Sequence, residues 1–368
     1  MAQFVYSSLF GELTRNVQAR IDAASLKKKQ LFDQSVYEKY LDWDTPTIGL
    51  NFEELIGKYN ITIAAPTIGD DSKESLLDTN GLETFASKVL KHAITRPMTI
   101  NEYRKVLALL DSKSMSDAAV KQELVNIMWG MVTEPVNSVK SKIDMIFLGA
   151  LSNEGVFTFD DNNNPEGGVK GSINFNMPAE NIATATTQWT EANISTVDCF
   201  SDIQELLDAA EDKTSIDALL IAPSKLSYMM RTPKLKQVIF GTDKSASPLT
   251  LATLNTFMES NDLPRFEKIR RKVVVKNGAV LTTVTPWNAK NIVAVPSGKL
   301  GIIKNAYADS ELKQESGVAY SNYGRIRVSQ WGVGETQGSN GVEFCKAESR
   351  SLPVITEIDG IYTLKTEL

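Results

Sequence analysis

His92, in VLKHAITRP, is the only histidine in 368 residues. One imidazole cannot supply an HExxH helix, a histidine-rich zinc site or a Ser–His–Asp triad with a second histidine to spare. A structural or solvent-exposed role suits it better than catalysis. Cys199 and Cys345 stand far apart without a CxxC spacing and read as buried thiols in a reducing compartment. Asp160, Asn162 and Asn164 imitate the first ligands of a calcium loop. Pro165 replaces the glycine such a loop requires, and Gly171 stands where it needs glutamate, so a hairpin turn is expected instead. Glycines 332, 334, 338 and 341 precede no GK[ST] and do not join a strand to a helix, which argues against a phosphate loop. The pairs Glu53–Glu54 and Asp160–Asp161 have no positioned partner in sequence and read as solvated surface. These residues call for no catalytic group, no metal and no cofactor.

Composition narrows the classes further. Hydrophobic residues make up 42% and charged residues 23%, an ordinary globular balance with enough chain for two or three domains. A net charge of −6 does not fit a protein that grips nucleic acid with its whole surface. Apolar runs are too short to span a membrane. The start, MAQFVYSSLF, lacks a basic region followed by an apolar core, so no secretion signal is read there.

The elements that would position any site are organised around residues 116–151, SDAAVKQELVNIMWGMVTEPVNSVKSKIDMIFLGAL. Val120, Leu124, Ile127, Met128 and Met131, then Val139, Ile143, Ile146, Phe147 and Ala150, recur in steps of three and four, the spacing of one helix face. Ser114 or Ser116 can cap the start, Asp117 suits the positive end of the dipole, and Gly155 closes the run. Unbroken, the helix is roughly 50 Å long at ~1.5 Å per residue, more than a small domain needs. Pro135 removes one backbone donor. The pattern therefore predicts either a kinked spine across an elongated subunit or two helices broken at Pro135.

Before the spine, residues 1–60 read as an amphipathic arm containing Lys27, Lys28 and Lys29. Residues 61–98 read as two long strands joined by the polar tip DDSKESLLDTNG, a projecting hairpin. Such a ribbon is marginal alone in water, so it is expected to lie on a neighbouring molecule. Thr99–Leu110 is a short helix with a Thr99/Glu102 capping box. After the spine, GVFTFDDNNNPEGGVKGSINFNM forms two strands around a turn. A β–α unit follows over 197–304: the helix CFSDIQELLDAAEDK, the buried strand IDALLIAP, and KLSYMMRTPKLKQVIF capped by Ser224. Within the same unit come a helix capped near Ser247, the hairpin KVVVKNGAVLTTV turning at Asn277–Gly278, and a closing strand pair in NIVAVPSGKLGIIKN. Residues 305–352 are rich in strands, and LPVITEIDGIYTLKTEL gives a strand, a turn at Asp359–Gly360 and a last strand.

Taken in order, these pieces resemble the major capsid proteins of tailed bacteriophages, closest to the lambda-type branch. The resemblance is carried by ITRPMTINEYRKVL ahead of the long helix, PAENIATATTQWTEANIS after it, SDIQELLDAA and ALLIAPSKLSYMMRTPKLKQVI in the inserted unit, and RSLPVITEIDGIYTLKTEL at the end. It spans essentially the whole chain. It implies an α+β capsid fold with an N-arm (1–60), an extended loop (61–98), a peripheral domain (99–196 and 305–353) holding spine helix 116–151, and an axial domain (197–304 and 354–368). The implied function is a subunit that self-assembles into hexamers and pentamers of an icosahedral shell around double-stranded DNA; an encapsulin-like compartment shell is the alternative. Asp70, Asp71, Lys73, Glu74, Lys88 and Arg96 become candidate intersubunit contacts. Lys27, Lys28, Lys29, Arg270, Arg271 and Lys272 become candidates for weak DNA contact without base readout, or for pairing with acidic groups of neighbouring subunits. No scaffold segment is read ahead of the arm, so the expected partners are further copies, a separate scaffolding protein and a portal. No membrane is involved, and the chain is expected in the virion capsid and, during assembly, in the host cytoplasm.

Overall fold

Pro135 does not break the long helix, which runs continuously over 36 residues. The structure is a computed structural model that describes residues 35–56, 83–98, 101, 102, 104, 105, 108, 117–165, 168–211, 215–242, 247–333 and 342–367. In chain order, α1 (Tyr37–Tyr40), β1 (Leu41–Trp43), β2 (Asn51–Ile56), β3 (Glu83–Lys88) and β4 (Leu90–Pro97) precede the long helix α2 (Asp117–Ser152). Next come β5 (Val156–Phe159), β6 (Gly171–Asn174), β7 (Ile182–Thr184), α3 (Cys199–Glu211), β8 (Ile216–Ile221), α4 (Pro223–Met229), α5 (Pro233–Phe240) and α6 (Leu251–Ser260). The remainder is β9 (Arg265–Lys268), β10 (Val273–Asn277), β11 (Val280–Val284), β12 (Asn291–Pro296), β13 (Gly301–Ala306), α7 (Asp309–Leu312), β14 (Ala319–Tyr323), β15 (Ile326–Val333), β16 (Val342–Ile355) and β17 (Tyr362–Lys365).

Burial explains why α2 tolerates its proline. A mid-helix proline costs roughly 3 kcal/mol, whereas each fully buried large apolar side chain contributes about 1.5–3 kcal/mol. Val136, Val139, Ile143, Ile146 and Phe147 are all sealed from water just beyond it, so packing wins. From Ile143 to Ser152 every residue is buried, and the one-sided stripe gives way to enclosure all round. The helix lies against β4 and β16 of one sheet and β12 of another. It ends where expected: Gly155 adopts φ 79°, and its N–H reaches the Ala150 carbonyl at 2.9 Å.

The first sheet has six strands, in the order β1-β13-β16-β15-β14, with β4 on the other side of β16. The second has five, in the order β7-β17-β12-β8-β9. Alternation sends β8 and β12 into two cores. Ala218, Leu220, Val293 and Val295 face the α2 core. Leu219, Ile221, Ile292 and Ala294 face a second core built from α3, α4, α5 and α6. The continuous apolar reading of IDALLIAP thus reflects a sheet covered on both faces.

Several expected boundaries move. The ribbon begins before residue 61: its first strand is β2, paired with β3, and β4 belongs to the six-stranded sheet rather than to a projecting arm. β12 and β13 do not pair with each other but enter different sheets, so NIVAVPSGKLGIIKN closes no single unit. β13 spans the expected 304/305 boundary, and β7 pairs with β17 although it precedes residue 197. Pro233 divides KLSYMMRTPKLKQVIF into α4 and α5, and Pro223 rather than Ser224 opens the first of them. Thr250, not Ser247, caps α6, its Oγ accepting the Thr253 N–H at 3.2 Å. Among the described residues no helix is long and apolar enough to cross a membrane.

Candidate functional surfaces

β2 and β3 form a two-stranded ribbon, in antiparallel register from Asn51–Lys88 to Ile56–Glu83. The Val89 N–H donates to the Leu50 carbonyl at 2.9 Å and fixes the root of the ribbon. Lys88 is exposed at that root. Asp70, Asp71, Lys73 and Glu74 lie outside the described residues, as do Lys27, Lys28 and Lys29 of the arm and the Thr99 half of the proposed capping box. Arg96 corrects the reading of this segment. Its guanidinium meets Glu102 at 2.7 Å and Glu134 of α2 at 2.7 Å, so it staples β4 to the spine. Two carboxylates inside the same chain already compensate the charge offered for a neighbour.

The described chain begins at a buried anchor. Tyr37, Tyr40 and Leu41 are buried, and β1 pairs in parallel with β13 from Leu41–Gly301 to Trp43–Ile303. The N–H of Tyr37 donates to Asp144 Oδ1 at 2.9 Å, so a carboxylate from α2 caps the first turn of α1. Asp144 Oδ2 faces the Arg271 Nε at 2.8 Å, and Arg271 also donates to Ser141 Oγ at 2.8 Å. Burial pushes the Asp144 carboxyl up to about 6, against the lowering pull of the Tyr37 amide and of Arg271. Lys140, one turn earlier, meets Glu38 at 2.5 Å and lies over the Tyr323 ring.

The basic cluster at 270–272 is therefore divided. Arg270 and Lys272 are exposed, while Arg271 is buried against Asp144. Arg271 is withdrawn from the candidates for DNA contact, because extended backbone turns alternate side chains to opposite sides and sends the middle one inward. Asp144 was missed by sequence reasoning, although an acid inside KIDMIFLGAL is itself a signal of a buried partner.

The groups that might have done chemistry sit in structural places. His92 is buried on β4, its Nε2 3.1 Å from the Ser351 carbonyl. Burial, helped by the charge of Lys142, lowers its pKa to about 4. Burial pushes both thiols, Cys199 and Cys345, up to about 12, which keeps them protonated and unreactive. Asp160 accepts the N–H groups of Asn162 and Asn163, each at 2.9 Å, so it shapes the β5–β6 turn. Lys142 of α2 donates to the Asn163 carbonyl at 2.7 Å and holds that turn; burial lowers its pKa to about 8. Among the described residues no cluster could hold a metal ion.

The family model for phage major capsid protein E matches residues 64–366. Among solved structures, the putative capsid protein of a prophage from E. coli CFT073 is similar at 13% identity, with 95% of this chain and 98% of that one covered and a TM-score of 0.58. A phage-related protein from Bordetella bronchiseptica RB50 is similar at 10% identity, with 96% of each chain covered and a TM-score of 0.51. At these identities the two structures bear on the fold alone. No curated protein sequence matches the chain.

Proposed function

The chain belongs to the phage major capsid protein E family, and from that premise we propose that its copies form hexamers and pentamers of an icosahedral shell around double-stranded DNA. It is a capsid shell subunit, and the family's role is structural. The observation that carries the reading is the match across residues 64–366. The geometry supports it in kind: a spine clamped between two sheets, a two-stranded ribbon outside both of them, and an arm end tied down by Tyr37, Tyr40 and Asp144.

In this reading the N-arm ends before β2, and the extended loop runs out on β2 and back on β3, with β4 already part of the body. The six-stranded sheet with α2 forms the peripheral region, and the five-stranded sheet with α3, α4, α5 and α6 the axial region, so the divisions at 196/197 and 304/305 shift to take in β7 and to release β13. The lambda-type branch remains our reading of the motif order. Partners are further copies, a separate scaffolding protein and the portal, met in the host cytoplasm before the shell becomes part of the virion. Asp70, Asp71, Lys73, Glu74 and Lys88 are offered to neighbouring copies. Lys27, Lys28, Lys29, Arg270 and Lys272 touch packaged DNA weakly and without base readout, since a strongly basic lining would hinder its release.

The test is electron microscopy of the full-length chain, alone and with its scaffolding protein, together with nucleic-acid analysis of the particles. Rings or closed shells are expected, with interfaces near or above a standard total of roughly 1,600 Å². A chain that stays monomeric at high concentration under both conditions overturns the reading. Particles filled with protein cargo in place of nucleic acid replace it with a compartment shell.

A further inference from the structure

The ribbon of β10 and β11 exposes more apolar surface than its place in the subunit explains. At its root Val273 is buried and Val275 and Val284 pack partly against the α2 core. Farther out, Val274 is 60% exposed, Val280 63% and Leu281 69%. Val280 stands opposite Asn277 and Leu281 opposite Lys276, so the apolar residues lead directly to the turn. Neither strand pairs with another sheet among the described residues. Two open edges and an uncovered apolar tip are marginal in water unless something packs on them.

The charge of the ribbon has one sign. Residues 269–285 hold Arg270, Arg271, Lys272 and Lys276 and no acid. Asp144 neutralises Arg271, which leaves three exposed cations. Elsewhere the chain presents a complementary face. Helix α3 turns Gln204, Glu205, Asp208 and Ala209 to solvent and contains no Lys or Arg. Its last turn sets acids against the negative end of the helix dipole, which is unfavourable until a cation approaches. Within one copy the two features pack on different elements, α3 on β8, β17 and α5, and β10 on α2.

We propose that β10–β11 of one copy docks on α3 of the next. Val274 and Leu281, on the ribbon face that carries Lys276, pack on the helix, and Lys272 and Lys276 meet Glu205 and Asp208, which takes Lys272 from the residues offered to DNA. The proposal rests on the shell reading above. Two different patches of one chain meet in it, so successive copies follow head to tail, the heterologous arrangement from which a ring is built. Phosphates would take the same lysines but leave Val274 and Leu281 uncovered, so a second protein surface is the better occupant.

The test uses the full-length chain under conditions in which the unmodified protein assembles. V274S/L281S, K272E/K276E and E205K/D208K change exposed side chains and are expected to keep the circular dichroism of the parent. Each should raise the concentration needed for assembly by about tenfold or more, and combining the two charge reversals should restore it to within about threefold. With the native cysteines buried, K276C/D208C should give an inter-copy disulfide ladder on oxidation. Ribbon variants that assemble normally, reversals that do not rescue each other, or a K272E/K276E effect on DNA retention alone would overturn the contact. An unmodified chain that never assembles overturns the shell reading itself.

Discussion

Asp144 and Arg271 meet at 2.8 Å in a place closed to water, and the other oxygen of Asp144 takes the Tyr37 amide at 2.9 Å. One carboxylate of the spine thus ties the end of the arm to the stem of the β10–β11 ribbon. Removing one member of a buried ion pair leaves an uncompensated charge, at a cost of about 3–5 kcal/mol. R271M alone should lower stability by that order. R271M/D144N should recover part of it, because no charge is then stranded. Urea unfolding of the four-member cycle measures the coupling, and strictly additive losses would show that the pair does not act as a unit.

His92 makes the subunit acid-sensitive in a defined window. Its folded pKa is about 4 against an ordinary value of 6.5, so the unfolded chain binds the proton first as pH falls. The stability that neutral His92 permits is complete above about pH 6.5 and is lost as pH drops toward 4, by roughly 3 kcal/mol in total. H92Q, which cannot take the proton, should lose this fall between pH 7 and 4.5, leaving the opposite trend of Asp144, whose carboxyl is raised to about 6 and so favours the folded state as pH drops. Equal slopes for H92Q and the parent would contradict this origin.

The order of elements was legible because it is local. Apolar steps of three and four marked α2, Asn277–Gly278 marked the β10–β11 turn, and IDALLIAP marked a buried strand. What pairs with what was not legible. β12 and β13 are separated only by Ser297–Leu300 and enter different sheets, and nothing in NIVAVPSGKLGIIKN states that the chain changes layers there. β13 instead takes β1 and β16, whose positions in sequence are remote. Side-chain fates depend on the same long-range pairing. Arg270, Arg271 and Lys272 look alike in sequence, and only the arrival of Asp144 separates the middle one. Arg96 looked like an outward charge because Glu134 comes close to it only after β4 has joined the sheet beside α2.

Gly149 of α2 sets two effects against each other. Alanine there gains about 1 kcal/mol of helix propensity. Its β-carbon would stand 2.5 Å from the ring of buried Phe157, and overpacking a closed core costs about 1–3 kcal/mol. Overpacking should win, so G149A should lower the melting temperature of the subunit. G149A/F157L should recover part of the loss by making room. A G149A subunit more stable than its parent would mean that the ring moves aside at little cost.

The segment between β2 and β3 offers the cleanest separation of folding from assembly. β4 holds its place through eight paired positions with β16, from Phe344–Pro97 to Ser351–Leu90, and Val89 is buried where it follows β3. The return of the chain to the body therefore does not depend on the polar tip. Deleting Asp70–Gly81 should leave far-ultraviolet circular dichroism and the melting temperature close to those of the parent, because exposed loop tips contribute little core. Particle yield or particle stability should fall if Asp70, Asp71, Lys73 and Glu74 meet neighbouring copies as proposed. Both properties can be read on one preparation, by calorimetry of the unassembled chain and by sedimentation of the particles. An unfolded deletion variant would show that the tip packs within its own subunit. A folded variant with unchanged particles would show that the loop's contacts lie closer to its root, near Lys88.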